Sequence, residues 1–109
     1  MLVKSICVRK VVAAPRNTPL LEAAQLMRRH HVGEVVVTNG PVGQRQPVGI
    51  VTDRDIVLEV VALDLEVNDL CVGDLINGEL VTVGEDASLL DTVRSMRASG
   101  VRRAPVVDR

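Results

Sequence analysis

Apolar and polar positions along this chain alternate between two rhythms. Residues 11–14 form a short apolar run, and two prolines punctuate residues 15–19. Leu20, Ala23, Ala24, Met27 and His31 then recur at three- and four-residue intervals, the spacing of one helix face. Thr18 is placed to cap that helix, with Pro19 in its first turn. Residues 35–38 are a β-branched run and read as a strand. A polar, glycine-containing loop covers 39–46, and an apolar strand covers 47–52. A helix is expected over 53–62, capped by Asp53, with Ile56, Val57, Val60 and Val61 as its apolar face.

The rhythm then returns. Residues 80–109 align without a gap on residues 11–40, a shift of 69 (80 minus 11). Val12 meets Val81, Leu20 and Leu21 meet Leu89 and Leu90, and Met27 and Arg28 meet Met96 and Arg97. Val32 meets Val101, and Val37 meets Val106. In the second copy Asp86 or Ser88 is the expected cap, and Leu89, Val93 and Met96 repeat the stripe. A strand begins at 105–107. Two repeats are therefore expected, 1–68 with an N-terminal segment and 69–109. The second lacks the last strand and helix of the first, so the sequence reads as a piece of a slightly longer protein.

Composition narrows the picture. Of 109 residues 47% are apolar and 25% charged, an ordinary globular balance. No Phe, Tyr or Trp is present, so the core must be aliphatic and a flat ring must sit between aliphatic side chains. This disfavours base-stacking modules. The net charge of −1 disfavours nucleic acid or a membrane as main partner. Lys4, Arg9 and Lys10 interrupt the apolar start, and no apolar run approaches the ~20 residues of a membrane helix. A cytoplasmic protein with reduced thiols is expected.

The candidate chemistry sits in Gly49-Ile50-Val51-Thr52-Asp53-Arg54-Asp55, where a strand gives way to a helix. Gly49 permits a close approach by backbone or ligand. Thr52 brings a hydroxyl that both donates and accepts. The Asp55 carboxylate, favourable in a first helical turn, can accept from two neighbouring hydroxyls of a ribose. Helix capping by Thr52, Asp53 and Asp55 accounts for the same residue types. Local sequence leaves both readings standing.

These features resemble the CBS-domain family. The likeness rests on the TPLLEAAQLMRRHHVGEVVV segment, on GIVTDRDI at 49–56, and on ASLLDTVRSMRASGVRRAPVVD in the second copy. It runs from about Val3 to Arg109. The resemblance implies an α+β fold of two β-α-β-β-α repeats packed through their sheets about a pseudo-two-fold axis. It implies clefts that bind AMP, ADP, ATP or S-adenosylmethionine as a regulatory signal, with no required cofactor and no catalysis. It further implies a homodimer and a regulated partner protein. Carried over residue by residue, one cleft uses Ile50, Thr52 and Asp55 from the first repeat, with Leu80, Val81, Arg102, Arg103 and Pro105 from the second. Arg102 and Arg103 would face phosphate, although neighbouring strand residues point to opposite faces. The other cleft has Gly33 and Glu34 where this one has the arginines, so it is expected to repel phosphate. One competent cleft per chain follows. The alternative is a dimerisation module with no physiological ligand.

Other chemistries find little support. Adjacent His30 and His31 diverge on a helix, whereas metal pairs favour an i, i+4 spacing, and their bland role is to complement the helix dipole. Cys7 and Cys71 lack zinc-site spacing and have no base or oxyanion donor in evident reach. The glycines at 40–43 do not form a P-loop.

Overall fold

The computed structural model describes residues 1–5, 11–76, 80, 82–99 and 104–107. They fall into two compact units, one of residues 11–79 and one combining Met1–Lys10 with residues 80–109. Both are mixtures of helix and strand.

The 11–79 unit is built on a three-stranded sheet of order β1-β2-β3, with β1 at Ala13–Pro15, β2 at Glu34–Asn39 and β3 at Gln46–Thr52. β1 and β2 run parallel, so a crossover must join them, and α1 (Leu20–His30) supplies it. β3 returns antiparallel to β2. Strand alternation turns Val35, Val37 and Val51 inward, where they pack with Ala14, Ala23, Met27 and Val72. Leu20, Ala23 and Met27 are buried as the stripe predicts, while His31 stands exposed in a left-handed conformation at the end of α1. Between Val37 and Thr38 the β2–β3 register shifts, leaving Val48 as an extra residue. Its neighbour Pro47 has no N–H to give to a ladder, and it lies on an edge strand beside this bulge.

Two local expectations are corrected. Thr18 does not cap α1. Pro19 occupies the cap position without a side-chain bond, and the Leu20 N–H donates instead to the Leu70 carbonyl at 3.0 Å. After β3, the chain forms a short α-helix α2 (Asp53–Ile56) and then a π-helical turn over Val57–Val61, closed by the Ala62 N–H donating to the Val57 carbonyl at 2.8 Å. Val60 is buried and Ile56 half-buried there, but Val57 and Val61 are exposed. The wider turn breaks the phase assumed for a continuous α-helix.

The second unit is slighter. β4 (Val83–Gly84) pairs in parallel with β5 (Val106–Val107), and α3 (Leu89–Ser99) joins them. Ser88 caps α3 by accepting the Asp91 N–H at 3.1 Å, one of the two caps expected. Of the predicted stripe, Leu89 and Met96 are half-buried and Val93 is exposed, while Thr92 is buried and donates its hydroxyl to the Ser88 carbonyl.

Hydrogen bonds extend the repeat beyond what the sequence alignment covers. The Leu89 N–H donates to the Met1 carbonyl as Leu20 does to Leu70; Val3 donates to Ala87 as Val72 does to Thr18; Lys4 donates to Glu85 as Gly73 does to Arg16. Leu2 bridges Ser88 just as Cys71 bridges Pro19. Every matched pair differs by the same 69 positions. The segment leading into each repeat is thus docked on the unit that carries the other repeat's helix. Each leader gives its carbonyls and amides to a helix start that would otherwise hold orphan groups.

Candidate functional site

The junction of β3 and α2 brings Ile50, Thr52 and Asp55 together on consecutive backbone. Thr52 is extended and serves as the cap of α2. Its Oγ accepts the Asp55 N–H at 3.1 Å, and an Asp55 carboxylate oxygen accepts the Thr52 N–H at 2.9 Å. This reciprocal pair satisfies two amides at the helix start. Asp53, expected as the cap, is instead the first helical residue; its N–H donates to the Gly33 carbonyl at 2.9 Å, and its side chain accepts the Arg54 N–H.

Capping does not exhaust these groups. A hydroxyl has one hydrogen to donate, and Thr52 has used only its acceptor side. The Asp55 carboxylate accepts one described hydrogen bond and retains its second oxygen. The box therefore fixes both side chains in position while leaving one donor and several acceptor sites. Thr52, Asp55 and Ile50 are each half-buried. Alternation places Ile50 and Thr52 on the sheet face opposite Gly49 and Val51.

Gly49 has a specific neighbour. A Cβ built there would lie 2.8–2.9 Å from three side-chain carbons of Ile76. The close approach that glycine permits is thus filled from within the unit, by the leader of the second repeat.

Register supplies a residue that sequence reasoning put elsewhere. Glu34 on β2 pairs directly with Thr52 on β3, and directly opposed residues share a sheet face. A half-buried carboxyl-bearing side chain therefore neighbours the Thr52 position, whereas it was expected at the other cleft. Only the pairing register, set across a loop and a bulge, reveals this.

From the second repeat, Leu80 and Pro105 are half-buried, and the Pro105 carbonyl accepts the Val83 N–H at 2.9 Å. Val81, Arg102 and Arg103 lie outside the described residues. So does Cys7, whereas Cys71 is half-buried with its thiol 3.4 Å from the Asp74 carboxylate. The Cys71 backbone N–H, and then its thiol, hold the Asp74 carboxyl below its ordinary range. Among the described residues no group of three or more His, Cys, Asp or Glu side chains could hold a metal ion.

The sequence matches the CBS domain over residues 3–62 and 72–109. The CBS domain-containing protein YhcV of Bacillus subtilis is 34% identical over 106 residues, which cover 97% of this chain and 72% of that protein. An uncharacterized protein of Methanopyrus kandleri is 33% identical over 100 residues, 92% of this chain, and this chain spans half of its length. Among solved structures, a CBS domain protein from Pyrobaculum aerophilum complexed with AMP superimposes with a TM-score of 0.81 at 25% identity, covering 100% of this chain and 80% of that one.

Proposed function

The chain belongs to the CBS-domain family, and from that premise we propose that it is a regulatory module that binds an adenosyl ligand and performs no catalysis. The observation that carries this reading is the reciprocal cap of Thr52 and Asp55, which holds a hydroxyl and a carboxylate rigidly and leaves both able to bond a ribose diol. The AMP bound by the Pyrobaculum protein supports the ligand class. Under this reading Ile50 lies along the purine and Asp55 takes the ribose hydroxyls. By the family resemblance Leu80, Val81 and Pro105 are further ligand-binding candidates, and Arg102 and Arg103 are the candidate phosphate contacts. The ligand is AMP, ADP, ATP or S-adenosylmethionine, bound one per chain, and no cofactor is needed. Glu34 beside Thr52 favours a pose in which phosphate points away from β2. No helix of the described residues is long and apolar enough to cross a membrane. A cytoplasmic location is part of the proposal.

A second reading, a dimerisation module, has its own support. Val57, Leu58, Val61, Leu63 and Leu65 are all exposed along and just after the π turn, and Val93 is exposed on α3. Burying such side chains favours association. Val60, first expected on this face, is buried and is not available to it. Homodimer formation is compatible with ligand binding, and an unidentified regulated protein completes the proposal.

Titration calorimetry against AMP, ADP, ATP and S-adenosylmethionine tests the reading. Binding of one of them at one per chain is the expected result. It should raise stability by roughly 2.7 kcal/mol at a hundredfold excess over the dissociation constant. Failure of all four at millimolar concentration, with dimers in sedimentation, leaves the dimerisation reading alone.

A further inference from the structure

The two leaders make matching backbone hydrogen bonds but are not seated alike. The leader of the second repeat is packed into its unit. Val72 is fully buried, and a Cβ on Gly73 would stand 2.8 Å from the Arg16 carbonyl oxygen. Only a residue without a side chain fits that approach. The matching position in the first leader is Lys4, which does carry a Cβ. It makes the corresponding hydrogen bond, to the Glu85 carbonyl at 3.0 Å, with a whole lysine side chain to accommodate. Around it Val3 is buried, but Leu2 and Met1 are exposed.

What the first leader has instead is an ion pair. The Lys4 amine lies 3.0 Å from an Asp86 carboxylate oxygen, with the two side chains 48% and 41% exposed. The matching positions in the other unit are Gly73 and Asn17, which form no such pair. Asp86, by hydrogen bond and charge, raises the Lys4 pKa above its ordinary value. An exposed pair of this kind is weak and is screened by salt.

We propose that residues 1–4 are a detachable latch on the 80–109 unit, closed by the Lys4 and Asp86 ion pair, whereas residues 70–73 are a fixed part of the 11–79 unit. Closed, the latch ties down the turn from β4 into α3 through the amides of Val3, Lys4 and Leu89. Open, it frees the start of α3 while the other unit keeps its fold. Ionic strength, or any anion or cation that competes for Lys4 or Asp86, sets the balance. The proposal does not depend on the ligand reading.

Residue-resolved hydrogen exchange on the full chain tests it. The Val3, Lys4 and Leu89 amides should exchange at least ten times faster than their counterparts Val72, Gly73 and Leu20. Raising NaCl to 1 M should speed the first set several-fold and leave the second unchanged. Lys4→Glu and Asp86→Lys, each made alone, should mimic the effect of salt, and the doubly reversed chain should restore slow exchange. Equal rates in the two sets, a salt response shared by both or absent from the first, or no restoration in the double variant would overturn the latch.

Discussion

Leu20 and Leu89 occupy the same position in two copies of one pattern, yet Leu20 is fully buried and Leu89 only half-buried. The two helices also differ in what they pack on. α1 covers a sheet of three strands, with Val51 of β3 and Val72 of the leader in its core. α3 crosses between two strands of two residues each, and the buried apolar side chains described in its unit are Val3 and Val83. A hydrophobic stripe states which way a helix faces. The depth of its burial is set by the layers available to cover it.

The widest gap between the units should appear on truncating the matched leucines. Leu20→Ala should cost about 2–5 kcal/mol, the range for a buried leucine, while Leu89→Ala should cost under about 2 kcal/mol. Equal losses on urea denaturation would break the comparison. Gly49→Ala forces a Cβ against Ile76 and should cost about 1–3 kcal/mol. Ile76→Ala, which removes all three of those carbons, should relieve part of that loss if the clash is the cause, and an additive double variant would show that it is not. Helix starts sharpen the contrast further. Ser88→Ala removes the described cap of α3 and should cost about 1 kcal/mol. Thr18→Ala, removing a hydroxyl that caps nothing, should stay within about 0.5 kcal/mol.

The smallest effect is a pH dependence confined to the 11–79 unit. Asp74 is held below its ordinary carboxylate value by the Cys71 N–H and then the Cys71 thiol. Its contribution is therefore present in full above the unfolded value of 3.8 and is lost as pH falls through the lower folded value. Asp74→Asn should flatten that part of the acid limb of a stability curve. An unchanged acid limb would show that the cap carries no such linkage.

Much of the fold was legible because repeat and period are properties of sequence alone. The strand at 47–52, the α1 stripe and the Ser88 cap followed from residue type and spacing. Other features depended on long-range partners. Thr18 had the right chemistry for a cap, but a carbonyl from Leu70, far along the chain, took the Leu20 amide first. The π turn at Val57–Val61 has no glycine or proline to announce it. Glu34 could be placed beside Thr52 only by a strand register that passes through a bulge. The leaders were hidden because residues 2–4 and 71–73 match in backbone role and share one identity, Val3 with Val72. At the candidate site, Thr52 and Asp55 were readable as a pair, but their mutual capping was not separable from ligand recognition by sequence.

That ambiguity can be resolved at one residue. Calorimetric titration with AMP of the unaltered chain and of Asp55→Ala, with folding followed in parallel, separates ribose binding from capping. Ribose binding by Asp55 requires one AMP per unaltered chain, and an Asp55→Ala chain that remains folded but binds more weakly by about 1–3 kcal/mol, the scale of a charged hydrogen bond. Undiminished AMP binding by folded Asp55→Ala would contradict it, and would leave the carboxylate of Asp55 as a helix cap and nothing more.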